Sequence, residues 1–564
     1  MKKIFFVIVL FPLTFSSYSQ NFIWAKQMGG SNIEKSNSIV VDDQGNVLTT
    51  GYFNNTTDFD PSSSVFNLTT DGAQSTFVSK LDSSGNFIWA KKFGGTTGLG
   101  HQGKFISADS QGNVYILGDF ESVSDFDPSI NTFSMSAGPT GTDFYIVKLD
   151  SLGNFIWAKR IGGNDYDYGN SMVVDNNGNV FVTGTFFDTV DFNPNSGIFN
   201  LTAGTSGATL QNSFILKLDT NGNFVWAKKI GNGTGIVKSN SITIDPSGNV
   251  YTSGTFNYDA DFDPSSGVFN LYASSDSYDI YVSKLDSSGS FIWAKKMGGS
   301  FDDSAKSIKV DSSGNVYTTG YFESNADFDP NVGVFNMNAA PDKDVFISKL
   351  NSFGEFVWAK KVGGGFDDRG NSISIDNSGN LYINGKFSTT ADFDPSASVY
   401  NLTASTSIDT FILKLTSNGI FVWAKQLSTN VDQSQTVLDN LSNIYTTGGF
   451  ESTCDFNPNS GVFNLNANFI DIYVQKMDSQ NLDVKTIDLF ENNISIYPNP
   501  SNNYLNIDLV DLDIFKVEII NNLGITVFSE ENKSKIDVST LSTGIYLIKI
   551  KIDNKIITKK FMKN

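Results

Sequence analysis

Three kinds of side chain in this sequence have the types and spacing for chemistry. His101 is the single histidine and Cys454 the single cysteine. A motif D-F-[DN]-P-[SN] begins at Asp58, Asp125, Asp191, Asp261, Asp327, Asp392 and Asp455. Two carboxylates two residues apart suit Ca²⁺, which prefers oxygen ligands. Such pairs occur at Asp58 and Asp60, Asp125 and Asp127, Asp261 and Asp263, Asp327 and Asp329, and Asp392 and Asp394. Asn193 and Asn457 replace the second carboxylate in the other two copies. A structural role competes with calcium: the first Asp closes an Asx-type turn, Phe plugs between sheets and Pro sets the chain direction. No copy approaches the Asp-rich twelve-residue calcium loop. The structural role is preferred, with calcium kept as the alternative.

Other catalytic sets find little support. One histidine and one cysteine exclude a zinc site built on several imidazoles or thiolates. A Ser-His-Asp triad would have only His101 to use, and no G-x-S-x-G elbow accompanies it. His101 lies in "GGTTGLGHQGKF" and is expected on an exposed loop. "SKLDSSGNFIWA" holds Ser, Asp, Gly and Trp in the order of a sialidase Asp box, but its spacing is wider. A hairpin turn already explains its Asp and Gly. Paired carboxylates for glycoside chemistry are not singled out anywhere. Cys454 can form no disulfide within the chain. Its repeat position elsewhere holds Thr57, Ser124, Val190, Ala260, Ala326 and Ala391, so a small packed residue is expected.

The elements that must position these residues repeat. Trp24, Trp89, Trp157, Trp226, Trp293, Trp358 and Trp423 all sit in F-[IV]-W-A-K, 65 to 69 residues apart. Within residues 21–85, "SIVVD", "VLTTGYF", "TFVSKLD" and "FIWAK" read as strands, joined by the tight turns "DQGN" and "SSGN" and by one long connection carrying "DFDP". Alternation places Phe87, Trp89 and Lys91 on one face and Ile88 and Ala90 on the other, so the strand is expected to pack on both sides. Small four-stranded sheets buried on both faces and repeated about an axis make a β-propeller. The expected fold is all-β: a seven-bladed β-propeller over residues 20–478, followed by a small Ig-like β-sandwich.

The copies "DSSGNVYTTGYF" (311–322) and "DVFISKLNSFGEFVWAKKVGG" (344–364) resemble the SBBP repeats, β-propeller repeats of bacterial secreted proteins. The resemblance implies a propeller and no particular reaction. It leaves one anomaly. The seventh unit runs through "IYTTGGF" and "DIYVQKMD" and then lacks an F-[IV]-W-A-K strand, while the chain begins "NFIWAKQMGG" with a strand to spare. Phe22–Lys26 is therefore expected to pair with Ile472–Met477 and close the ring, which removes an open sheet edge.

Residues 1–19 read as a secretory signal, with Lys2 and Lys3 before an apolar run too short to span a bilayer. No later segment is long and apolar enough for a membrane helix. The formal charge of −20 lies in the body of the chain, because 493–564 carry nine Lys against eight Asp plus Glu. That surface disfavours nucleic acid and anionic membranes as partners. After a polar linker at 479–492, "YPNP" (497–500), "LNI" (505–507), "VEIINNLGITVF" (517–528), "IDVSTLSTGIYLIKI" (536–550) and Lys559, Lys560 and Lys563 resemble the type A C-terminal sorting domain of the type IX (Por) secretion system of Bacteroidetes. The resemblance implies the secretion machinery as partner of 493–564, with release from the cell or attachment to its outer surface.

Topology puts the DFDP connections and the links "GGSNIEKSN", "GGNDYDYGN", "GGSFDDSAKS" and "GGGFDDRGN" on one face. These variable acidic loops, with Tyr166, Tyr168, Phe301 and Phe366, are the expected recognition surface. The expected function is a binding or adhesion module for glycan or a surface protein. A carboxylate-dependent extracellular hydrolase or lyase, and a structural surface protein without a discrete ligand, are the alternatives. No organic cofactor is implied.

Overall fold

The computed structural model describes residues 21–95, 100–204, 211–274, 277–431, 434–478, 494–509, 516–521, 525–531, 534–552 and 555–564. The expected signal (1–19) and the whole of the expected linker (479–492) lie outside the described residues. Contacts divide the chain into two compact units, Met1–Ser479 and Gln480–Asn564. Among the described residues there is no helix.

The first repeat contains β1 (Phe22–Gly30), β2 (Lys35–Val41), β3 (Val47–Phe53), β4 (Thr56–Asp58), β5 (Asn67–Thr69), β6 (Ser75–Leu81) and β7 (Phe87–Phe93). β2, β3, β6 and β7 form an antiparallel meander. Its turns follow from D-x-x-G-N. The Asp42 Oδ1 accepts from the amides of Gln44 (3.0 Å) and Asn46 (2.8 Å), and Gly45 takes φ +80°. The same four-stranded meander recurs in each repeat. In the last repeat, Ser434–Leu438, Ile444–Asp455 and Asn464–Met477 supply three strands, and β1 supplies the fourth. Phe22 pairs with Met477 and Met28 with Ile472, the expected closing ladder. The first strands of successive meanders lie side by side, and Ser434–Leu438 returns to lie against β2.

Two features depart from the expected pattern. The long connection is not irregular throughout: β4 and β5 form a short hairpin arm. The end of β1 crosses over to pair Gly29 with Asp58 and Gly30 with Thr57. Each outer strand is also bulged. Lys80 pairs with Trp89 but Leu81 with Phe87, so Ile88 is an extra residue. The bulge turns Ile88 outward, 44% exposed, instead of packing it inside with Ala90. Strict alternation therefore fails at this position in the other outer strands too, at Ile23, Ile156, Val225, Ile292 and Val357.

The tryptophans join neighbouring sheets. Trp24, Trp89 and Trp157 donate from Nε1 to the carbonyls of Ser83, Ser151 and Thr220, each in the next sheet (3.3, 3.3 and 3.2 Å). Trp293 does the same to Ser352. Trp24, Trp89, Trp293 and Trp423 are buried, whereas Trp157, Trp226 and Trp358 keep an exposed edge. Trp24 sits edge-on to Tyr445 and shares a core with Ile39, Phe53 and Phe77, so it binds the last sheet to the first.

In the C-terminal unit, Ile494–Tyr497, Tyr504–Leu509 and Lys535–Asp537 form one sheet. Thr526–Glu531, Lys516–Ile520, Gly544–Ile552 and Lys555–Lys563 form a second. Leu505, Ile507, Val517, Ile519, Ile536, Ile548 and Ile550 pack into one core with residues from both sheets.

Replacing Trp24 by Ala is expected to destabilise the whole repeat region by about 3–5 kcal/mol, the usual cost of emptying a buried Trp site. Thermal denaturation of Trp24→Ala should show a loss at least as large as Trp226→Ala. An unchanged melting temperature for Trp24→Ala would contradict closure by β1.

Candidate functional site

In the D-F-[DN]-P motifs both polar side chains are engaged by their own loop. Asp58 Oδ1 accepts from the amides of Asp60 (3.0 Å) and Phe66 (2.8 Å), and Asp60 Oδ1 from Ser62 (2.9 Å). The arrangement recurs at Asp125 and Asp127, Asp261 and Asp263, Asp327 and Asp329, and Asp392 and Asp394. Asn193 and Asn457 accept in the same way through an amide oxygen, which explains why Asn serves there. Phe59 is fully buried against Phe53 and Phe77. Among the described residues, no three His, Cys, Asp or Glu side chains gather as metal ligands.

His101 is not an exposed loop residue: it is 1% exposed. It occupies the position before the first strand of its sheet, as Glu34 does before β2, and that position faces inward. Its Nε2 lies 3.2 Å from Ser124 Oγ, and its ring faces Phe120. Cys454 is buried as a packed residue, and burial pushes its thiol up to about 12.

The loops expected to form an acidic recognition surface divide in two. Tyr166, Phe301 and Phe366 are exposed, and Tyr168 is half-buried. Glu34, Asp167, Asp303 and Asp368, in contrast, are fully buried. Each of these acids meets a second one on the preceding sheet's third strand: Asp471, Asp143, Asp279 and Asp344 respectively. Asp303 Oδ2 accepts from the Gly299 amide (2.7 Å) and its Oδ1 from Glu323 (3.0 Å), while Asp279 Oδ2 pairs with Lys296 (2.7 Å). The Gly-Gly of the repeat makes room for the pair. A Cβ on Gly298 would lie 2.3 Å from Asp279 Oδ1 and 2.8 Å from Asp303 Oδ2, and φ there is +144°. A Cβ on Gly299 would meet the Asn325 carbonyl at 2.1 Å. The signal in the sequence was this Gly-Gly followed by an acid at a fixed distance from the next strand. Its reading as a variable surface loop hid the burial.

Burial, reinforced by the neighbouring carboxylate, outweighs the amide donors. It pushes Asp303 up to about 8 and Asp167, Asp368 and Glu34 up to about 7. Burial alone raises Asp143, Asp279 and Asp471, against the polar partners that hold them.

The loop face also surrounds the axis. A cavity of about 510 Å³ there is lined by Asn37, Gln102, Lys104, Asn170, Asn240, Lys306, Arg369, Asn371 and Ser434, all on first strands. Among the described first strands, six carry a bulge that inserts one residue, at Asn37, Lys104, Asn170, Asn240, Lys306 and Asn371. Ser434–Leu438 pairs without a bulge and breaks the symmetry. The amides of Asn37, Asn170 and Asn240 donate to the carbonyls of Gly103, Ser239 and Ala305 in the next sheet (2.9, 2.9 and 2.8 Å). Sequence reasoning missed this ring, because a bulged residue does not stand out from an alternating strand. The opposite, tight-turn face has a hollow of about 640 Å³ lined by Asp175, Asp245 and Asp311. Those three side chains hold their own turns.

A carboxyl raised in the folded state favours folding while it is protonated there. That contribution is complete below its unfolded value near 4 and is lost as pH rises through about 7 to 8. The melting temperature is therefore expected to fall between pH 5 and pH 9. Asp279→Asn should flatten that fall, since an amide at this position can donate to Asp303, and Asn212 already occupies the same place one repeat earlier. Equal slopes for the two proteins would exclude the carboxyl pairs as the cause. Calorimetric titration of Ca²⁺ into chelator-treated protein is expected to give no heat, because the motif carboxylates already accept amides.

Residues 495–564 match the secretion system C-terminal sorting domain, and residues 23–60, 156–185, 225–255 and 292–329 match a β-propeller repeat of the SBBP type. An uncharacterized WD repeat-containing protein of Acanthamoeba polyphaga mimivirus is 23% identical over 507 residues, 76% of this chain. The regulatory protein FlaEY of Caulobacter vibrioides is 24% identical over 212 residues, 36% of this chain. The chain spans 36% and 20% of the lengths of these relatives. Solved extracellular domains assigned to a one-component and a hybrid two-component system of B. thetaiotaomicron align over 96% and 95% of this chain and 98% and 99% of theirs. Their identities are 10% and 8%, and their TM-scores of 0.16 carry no argument. The sorting domain directs export through the type IX secretion system, so the protein is secreted or held at the outer cell surface. The chain thus contains SBBP-type β-propeller repeats and, at residues 495–564, a C-terminal sorting domain of the Por secretion system.

Proposed function

We propose that residues 20–478 form a seven-bladed β-propeller that serves as an exported binding and adhesion module for a glycan or another surface protein, with residues 493–564 as an Ig-like export address. The unbroken succession of first strands supports the blade count. The two sheets around one core support the sandwich. The observation that carries the binding reading is the cavity of about 510 Å³ on the loop face, to which most sheets contribute an equivalent residue. It is the size of a small-molecule site, and its polar lining suits hydroxyl-rich ligands. Tyr166, Phe301 and Phe366 stand exposed on links of the same face and offer flat apolar surface to a sugar ring or a partner side chain.

Fluorescently labelled secreted protein should bind a defined subset of a glycan array or of whole cells. Replacing Tyr166, Phe301 and Phe366 together by Ala is expected to weaken that binding at least tenfold without changing the melting temperature. A protein that binds neither array nor cells would sink this reading.

A further inference from the structure

The axial channel has the wrong charge for this protein. The chain carries −20 overall, yet among the described residues no Asp or Glu lines the 510 Å³ cavity, whose lining includes Lys104, Lys306 and Arg369. Further along the same first strands a second cavity, of about 140 Å³, is lined by Ser107, Val173, Ser374, Val437 and, again, a cation: Lys309. In the other sheets the position of Lys309 holds Val40, Ser107, Val173, Thr243, Ser374 and Val437. A lysine there departs from the repeat at one point only. Among the described residues Lys309 makes no ion pair; its side chain is exposed to the cavity, and desolvation by the strands crowding around it lowers its ammonium below the ordinary range.

At the mouth, Lys306 and Arg369 come from neighbouring sheets and both approach the Tyr321 ring, at 5.5 and 4.8 Å from its centre. Asp367 contacts Arg369 at 2.7 Å, but it is shared with Lys386 at 3.0 Å. Lys104 is paired with Asp119. Lys343 stands at the same ring, 5.6 Å from its centre, and cations gathered near one ring repel one another, which an oxyanion among them relieves. The guanidinium fork and the ammonium suit the oxygens of a carboxylate or sulfate. Around them the bulge-borne amides of Asn37, Asn170 and Asn240 are clamped to the next sheet, which fixes their oxygens and second N–H groups in place for hydroxyl partners.

We infer that the axial channel is an oxyanion site: it takes the carboxylate or sulfate of an acidic saccharide between Lys306, Arg369 and Lys309, with the sugar hydroxyls on the asparagine ring. The inference rests on the loop face being the recognition surface and names the ligand class for it. The 510 Å³ at the mouth exceeds what an inorganic anion fills, so the charged group belongs to a larger polar ligand.

The test titrates the full secreted chain with D-glucuronate, with D-glucose, and with inorganic sulfate at constant ionic strength. The proteins are wild type, Lys309→Met and Lys306→Gln/Lys309→Met. Glucuronate is expected to bind and glucose not. The single and double variants should lose about ten- and a hundredfold in affinity while melting no lower than wild type. Binding of sulfate as tight as glucuronate would overturn the saccharide assignment in favour of a free anion. Equal binding of glucose and glucuronate, or variants with wild-type affinity, would overturn the oxyanion site while leaving the loop face a binding surface. No binding in any of these arms also overturns it. The array and cell experiment above then decides separately whether the face binds anything.

Discussion

A four-stranded sheet with apolar residues on both faces is not stable alone, so each must lie between two neighbours. In a linear stack the first and last sheets would each expose a face. Here the ladder between Phe22–Met28 and Ile472–Met477 removes both ends at once. Everything else is arranged along the seam it completes. Trp24 reaches Ser83 across it, Gly29 and Gly30 pair with the arm that follows β3, and Gln27 donates to Asp471 (2.5 Å). These three kinds of contact made by an outer strand recur in variant form at other junctions. The closing seam is thus built like the rest and not as a patch.

The junctions also explain why so acidic a chain buries so many acids. A carboxyl just before a first strand accepts from two amides, one at the end of the crossing outer strand and one beyond the second strand, as Asp303 does from Gly299 and Glu323. Opposite it, the third-strand acid anchors a lysine or arginine at the rim, as Asp143 does Arg160 and Asp344 does Lys361. The two demands bring like charges together, and burial makes proton retention the way out. Where the repeat avoids the conflict it changes both members: Ser75 with His101, and Asn212 with Val237.

Much of the fold could be read in the residues because its signals are local and repeated. F-[IV]-W-A-K and D-x-x-G-N mark the same strand and turn each time, and the missing last copy of one motif pointed to β1. What escaped reading was non-periodic. The bulges at Ile88 and at Asn37 each add a single residue, and nothing in "FIWAK" or "KSNSIVV" distinguishes it from its neighbours. His101 and Asp303 looked like loop residues because Gly-Gly usually marks an exposed turn. Here the glycines are required by close packing against Asp279 and the Asn325 carbonyl. The axial cations were invisible for a further reason: their convergence depends on which strand of each sheet lies innermost, and residue spacing within one repeat does not say so.

Closure by β1 has a consequence for the order of folding. Gln27 and Asp471, which meet across the seam, are 444 residues apart in the chain. The entropy of bringing such distant segments together grows only with the logarithm of the separation, so the finished ring loses little stability to it. Contacts of such long range are slow to form, however. Sheets completed within one repeat can assemble as they emerge from a membrane pore, but apart from Gly29 and Gly30, which pair with β4, β1 has no ladder partner until Ile472–Met477 arrives. Until then the strand that begins the ring is an unpaired apolar edge. The interval before it docks is when the protein is most open to pairing with another chain.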